Sequence, residues 1–176
     1  DPHHEQSPFG SGFLAEVCKA WEQAADPARQ SGQRVVHPRI GLVLDTNGGA
    51  LQKMLPAFRM GLGGPVGSGN QWMSWITLDD VVSIFMRCLK DTQLIGAVNC
   101  VAPTPVQNKT FAQTLADHLK RPAYFTVPKF SLRLLLGEMA EQTLLASQRV
   151  EPRALSQRDH VFKSPTLDDA FNTLLS

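Results

Sequence analysis

The sequence predicts an α/β fold. Three observations carry the α/β class. Segments with helical apolar spacing alternate along the chain with short strand-forming runs, the pattern of a sheet covered by helices. In the stretch 61–80, five glycines and Pro65 give way to an aromatic run, Trp72 to Trp75, and then to Thr77-Leu-Asp-Asp80 at the head of an apolar helix. Finally, 176 residues with 43% hydrophobic and 19% charged content suffice for one ordinary soluble domain with a core.

The elements follow in chain order. A helix begins at Ser11 or Gly12 and runs to about Ala25, because Phe13, Leu14, Val17, Cys18, Trp21, Ala24 and Ala25 recur on one face at the 3.6 period. Arg34 to Leu44 is a strand that Pro38 and Gly41 break or bend. Asp45 to Gly49 is a turn by its Asn-Gly pair. Ala50 to Met60 is a helix with Leu51, Met54, Leu55 and Phe58 as its apolar stripe and Pro56 as a kink. Thr77 and Asp80 have capping-box spacing, and Val81, Val82, Phe85, Cys88 and Leu89 form the core-facing side of the helix they open. Ala97 to Val101 is a buried strand, and Asn108 caps a helix carrying Phe111, Leu115 and Leu119. Tyr124 to Val127 is a strand, followed by helices over 130–136 and 139–145. A short strand spans 160–162. Ser164, with Pro165 at the first helical position, caps a last helix that buries Leu167, Ala170, Phe171 and Leu174.

Composition excludes several functions. The net charge of +1 gives no basic field for nucleic acid or an anionic membrane, and no apolar run is long enough to span a bilayer. Cys18, Cys88 and Cys100 are scattered singles, which fits buried thiols in a reducing cytoplasm. Neither Ser11 nor Ser68 has a nucleophile elbow around it. No histidine has a partner at metal-ligand spacing, so no metal site is expected. The pairs Asp79-Asp80 and Asp168-Asp169 read as helix caps, since adjacent helical residues point about 100° apart. The glycines at 64, 67 and 69 run into a tryptophan-rich strand, not a helix N-terminus, so they are not read as a phosphate loop. Arg39, among apolar strand neighbours, requires a carboxylate, phosphate or carbonyl partner, either an ion pair or a ligand. Trp21 reads as core. Alternation puts at most one of Trp72 and Trp75 toward the core and the other toward a cleft.

The order of pieces resembles the atypical, sugar-nucleotide-epimerase-like branch of the extended short-chain dehydrogenases. The motifs are Arg39 to Leu44, Gly48-Gly49, the run from Leu55 through Asp80, Asn99-Cys-Val-Ala-Pro103, Phe111-Ala-Gln and Arg121-Pro122. The resemblance implies that residues 1–48 and 78–102 are a remnant of an NADP-binding Rossmann half. Residues 49–77 and 103–176 are then a substrate-binding region with a small C-terminal domain. It implies NADP as cofactor of a longer parent, with Arg39 and Gly41 beside the nicotinamide, and Gln71 and Trp75 toward a small polar substrate. The chain reads as a fragment that does not itself hold NADP. Its missing strands would leave Val35-Val36 and Val98 to Val101 with unpaired edges and exposed apolar faces, inviting self-association. Two departures stand out. Phe9 and Phe13 occupy the place of the family's Tyr-x-x-x-Lys, and Met73 stands where an arginine grips the substrate pyrophosphate. No catalytic residue is therefore assigned. Two functions follow: an epimerase-like oxidoreductase or isomerase, or a catalytically idle binding or assembly protein that keeps the fold.

Overall fold

A computed structural model describes residues 2–123, 125–127 and 147–176. Its centre is a parallel strand arrangement that changes partners at one glycine. Strand β1 (Val36–Ile40) pairs in parallel with β5 (Gly96–Cys100), matching Arg39 with Asn99. One residue later β2 (Leu42–Leu44) pairs in parallel with β4 (Trp75–Thr77). Gly41 makes the exchange: its amide donates to the Cys100 carbonyl, and the next amide, Leu42, donates to the Ser74 carbonyl. A side chain at Gly41 would meet the Ser74 carbonyl oxygen at 2.5 Å, so only glycine lets the three strands converge. Pro38 does not interrupt β1. The odd-numbered positions at each end, Val35 and Gly41, bond toward β5. Pro38 therefore turns its missing donor to the outer edge, which has no strand partner among the described residues. The third pairing, antiparallel, joins β3 (Trp72–Met73) to β6 (Val106–Gln107).

Strands β2 and β4 divide two cores. Trp75 faces a cluster containing Leu51, Leu55, Phe58, Phe111, Leu115 and Phe171, from α3 (Gly49–Arg59), α5 (Asn108–His118) and a C-terminal helix. Its neighbour Ile76 faces the other cluster, with Val81, Ile84 and Cys88 of α4 (Leu78–Lys90) and Val98 of β5. Period-two alternation on a three-residue strand thus serves both cores.

Several expectations are corrected. Helix α1 (Phe13–Gln23) forms, but it buries no residue, and Trp21 is 74% exposed. Its apolar face finds no counterpart in the described chain, and Cys18 is exposed with it. A short helix, α2 (Asp26–Gln30), follows α1. Helix α4 buries Val81, Ile84 and Cys88, while Val82, Phe85 and Leu89 are exposed. Apolar residues surround most of that helix, so periodicity did not select the buried side. Asn108 lies within α5, whose N-cap is Gln107. No strand forms over 160–162. A short helix, α6 (Arg153–Ser156), precedes that segment, and α7 (Leu167–Leu174) is capped by Thr166 with Asp169 in a full capping box, not by Ser164. Val98 and Val101 are buried, so the expected exposed faces on that strand do not occur. The expected helices over 130–136 and 139–145 and Tyr124 of the expected strand lie outside the described residues. Val127 forms a parallel bridge to Val66.

Candidate functional site

In open α/β sheets ligands bind beyond the carboxyl ends of the strands. Here that end of β1 and β5 is overlaid by the N-terminal segment and by residues 147–156. His3 bridges Val150: its amide donates to the Arg149 carbonyl at 2.7 Å, and the Glu151 amide donates back to its carbonyl at 2.9 Å. Ser74, at the strand exchange, donates to the Gln148 carbonyl and accepts from the Val150 amide, both at 2.8 Å. The Trp72 amide donates to the Ser147 hydroxyl, and the Arg149 guanidinium lies over its indole at 4.9 Å from the ring centre. A crevice of about 390 Å³ remains, lined by His4, Pro103, Glu151, Pro152, Arg153 and Ser156 among others.

Glu5 stands behind this crevice. It is only 9% exposed, and its Oε1 accepts from the Asn99 amide and the Ala154 amide, each at 3.1 Å. One oxygen thus covers the outer edge of β5 and the first turn of α6. The other, Oε2, is buried without a hydrogen-bond partner. Nothing in the sequence marked Glu5, because its donors lie 94 and 149 residues away.

The residues named from the sequence take the following places. Arg39 forms a bidentate pair with Glu22 of α1, Nε to Oε1 at 2.7 Å and Nη2 to Oε2 at 2.9 Å. The Phe9 ring lies against the same guanidinium at 5.2 Å. Arg39 hydrogen bonding holds the Glu22 carboxyl below its ordinary range, and Glu22 in turn raises the guanidinium pKa. Gly41 is the close-approach point of the strands. Gln71 secures the glycine loop, with its side-chain amide donating to the Val66 carbonyl at 3.1 Å. Trp75 has 0% exposure, and its indole N–H is taken by the Thr104 carbonyl at 3.0 Å. Arg39 and Gly41 adjoin the strand exchange, whereas Gln71 lies on the glycine-loop side. Burial pushes the Cys100 thiol up to about 12, which leaves it a packing group.

Two further residues hold the walls together. Asp80 is fully buried: Oδ1 accepts from the Lys163 amide at 2.7 Å, and Oδ2 accepts from the Ser164 amide at 3.1 Å and the Thr77 hydroxyl at 3.0 Å. Thr77 caps α4 by accepting from the Asp80 amide, but the Asp80 carboxylate ties down 163–164 instead of closing the box. Asn108 accepts from the Val66 amide at 2.7 Å and donates to the Met73 sulfur at 3.2 Å, joining the glycine loop to α5 and β3. Among the described residues there is no cluster of His, Cys, Asp and Glu able to hold a metal ion, and no helix long and apolar enough to cross a membrane.

Parallel strands with crossover helices and a crevice at their carboxyl ends define a portion of a Rossmann-like short-chain dehydrogenase fold. Comparisons agree. The chain has a TM-score of 0.71 to dTDP-glucose 4,6-dehydratase of Streptomyces venezuelae at 14% identity, a likeness of fold alone. It is 34% identical, with a TM-score of 0.87, to the human epimerase family protein SDR39U1 crystallised with NADPH, covering 99% of this chain and 59% of that one. It is 41% identical to an epimerase family protein of Mycobacterium tuberculosis over 94% of this chain and 55% of that protein. A chloroplastic epimerase family protein SDR39U1 homolog of Arabidopsis thaliana is 42% identical over 97% of the chain and 49% of its own length. Residues 127–174 match a domain of unknown function, DUF1731. Nearly all of the chain is thus similar to proteins of this epimerase family, and it spans about half the length of the curated relatives it matches.

Proposed function

We propose that the intact protein carrying this chain binds NADP and acts as an epimerase-like oxidoreductase or isomerase on a small polar substrate, in the cytoplasm. The supporting observation is its likeness, at 34% identity over 99% of the chain, to a relative crystallised with NADPH. The described residues fit the edge of such a site and not its phosphate cradle. The glycine turn at 64–69 leads into β3, with no helix N-terminus aimed at a pyrophosphate. Arg39 has both forks of its guanidinium on Glu22, so its contribution is to fix the end of β1 and keep α1 in place. Gly41 keeps the nicotinamide side of the wall low. Gln71 and Trp75 shape the substrate side indirectly, one by pinning the glycine loop and the other by stiffening β4 from within.

The test is NADPH titration of the intact protein, followed by its tryptophan fluorescence. Quenching or a shift at saturating NADPH is expected, and no change in a protein shown to be folded rejects the reading. A second reading, a binding or assembly protein without catalysis, is favoured by one observation. Where the family resemblance places the catalytic phenol, the Phe9 ring packs on Arg39 and offers no proton. Small molecules extracted from the purified intact protein separate the two, because an idle scaffold returns none.

A further inference from the structure

His160 stands in the turn that leads from α6 toward α7, and Arg87 of α4 reaches across to that turn. The guanidinium Nη1 lies 3.5 Å from His160 Nδ1, Nη2 donates to the Arg158 carbonyl, and Nε pairs with Asp91 at 3.5 Å. A guanidinium only donates, so Nδ1 carries the lone pair and the ring proton sits on Nε2. Nε2 is buried without a hydrogen-bond partner among the described residues. The Phe162 ring stands perpendicular to the imidazole, with centroids 4.8 Å apart. Asp80 of α4 favours a charged ring, but its oxygens already accept from the Thr77 hydroxyl and the Lys163 and Ser164 amides. The remaining charges at the turn face outward: Lys163 pairs with Asp79 at 3.2 Å, and Arg158 donates to the Gln93 carbonyl at 2.8 Å.

A second proton on this ring goes to Nδ1, the atom that faces the guanidinium. The charged ring then has a cation against one nitrogen and no acceptor at the other. Burial, then the Arg87 charge, hold the His160 pKa below its ordinary value, against a smaller pull from Asp80. The turn is free to yield, because Gln157, Arg158, Asp159 and Val161 are all exposed. We propose that His160 and Arg87 form a pH-sensitive clasp, in which the neutral ring holds the turn 157–162 against α4 and protonation at Nδ1 releases it. Asp80 keeps its hold on residues 163–164, so the release ends there. Toward α6 it continues: the Arg158 and His160 amides both donate to the Leu155 carbonyl, and the Asp159 amide donates to that of Ser156. Opening the clasp therefore frays the end of α6, whose Arg153 and Ser156 line the crevice. A depressed folded pKa contributes stability that is present above the ordinary imidazole value of about 6.5 and is lost as pH falls through the folded value. The clasp is closed at neutral pH and opens in mild acid. It needs neither NADP nor catalysis, and so stands apart from the function proposed above.

The experiment is amide hydrogen exchange on the intact protein, followed by NMR at about pH 7.5 and about pH 5 and corrected for intrinsic rates. Protection of the Arg158, Asp159 and His160 amides is expected to fall about tenfold or more at the lower pH, while the Lys163 and Ser164 amides keep theirs. His160→Gln stays neutral at both values and retains an oxygen that accepts from Arg87, so it is expected to abolish the difference. A second measurement follows the titration of the His160 ring itself. Arg87→Gln removes the facing cation and is expected to raise the midpoint toward the ordinary value, which keeps the test decisive should His160→Gln fail to fold. Protection that does not change with pH overturns the clasp. So does a loss that persists in His160→Gln, or a ring midpoint that Arg87→Gln leaves unmoved.

Discussion

Arg39 shows how little of a residue's role is carried by its type. The sequence required a partner for a cation on an apolar strand, and left an ion pair and a ligand equally open; the partner, Glu22, sits on the polar face of the preceding helix. A depressed carboxyl pKa contributes stability that is present above the unfolded value near 4.5 and is lost as pH falls through the folded value. Both groups are partly exposed, so the contribution is at most about 1 kcal/mol. Urea unfolding of Glu22→Gln is therefore expected to fall below the unsubstituted chain by that much at pH 7, with the gap closing below pH 4. A gap independent of pH would remove the ion pair from the account. Asp80 is the stronger case, because three donors converge on a carboxylate with no solvent access. Asp80→Ala is expected to cost about 3 kcal/mol, since it strands the buried Ser164 amide and the partly buried Lys163 amide as well as removing the charge. Faster hydrogen exchange at the Lys163 and Ser164 amides locates the loss. The sequence marked Asp80 as a cap, which is the local half of its role; the other half lies 83 residues away and leaves no local trace.

At the scale of elements, positions where the backbone alone decides were the most legible. Gly41 was expected to break the strand, and it does, because three strands meet there. Gly41→Ala is expected to destabilise by about 2 kcal/mol or more, since the opposing atom is a backbone carbonyl that cannot rotate away. Thermal unfolding measures it, and an unchanged midpoint would mean that the strands part easily. Helices α3 and α5 were readable because one face of each is apolar and the other polar, and the same faces are buried in the structure. Helix α4 was not, because Val82, Phe85 and Leu89 are as apolar as Val81, Ile84 and Cys88, and only the position of the sheet separates the two sets. The terminal caps failed for a related reason. Ser164 before Pro165 and Thr166 three residues before Asp169 each offer a cap, and only the observed turn chooses Thr166. The crevice was legible in neither sense. Its walls come from Pro2, His4, Pro103 and the segment 151–156, which meet only through tertiary contacts.

For the whole molecule, helix α1 and the outer edge of β1 both leave surface unsatisfied. Helix α1 exposes Phe13, Leu14 and Trp21, and β1 has no strand on its outer edge among the described residues. Such a face associates when it is left open. The isolated 176-residue chain is accordingly expected to self-associate in sedimentation, and a monomer at all concentrations would count against that expectation. The same accounting bears on the cofactor. Dinucleotide affinity in this fold class comes from backbone donors at a first glycine turn, the helix that follows, and a contact to the ribose or its phosphate. In this chain Arg39 is engaged by Glu22, and the glycine turn before β3 lacks the helix that would complete it. Without those donors, a few partial contacts do not offset the ordering of so long and flexible a molecule. NADP titrated into the isolated chain is therefore expected to show no binding tighter than about millimolar, the scale of roughly 4 kcal/mol. Tighter binding by calorimetry would mean that residues of this chain grip the phosphates after all, with Arg153 at the crevice the first to substitute.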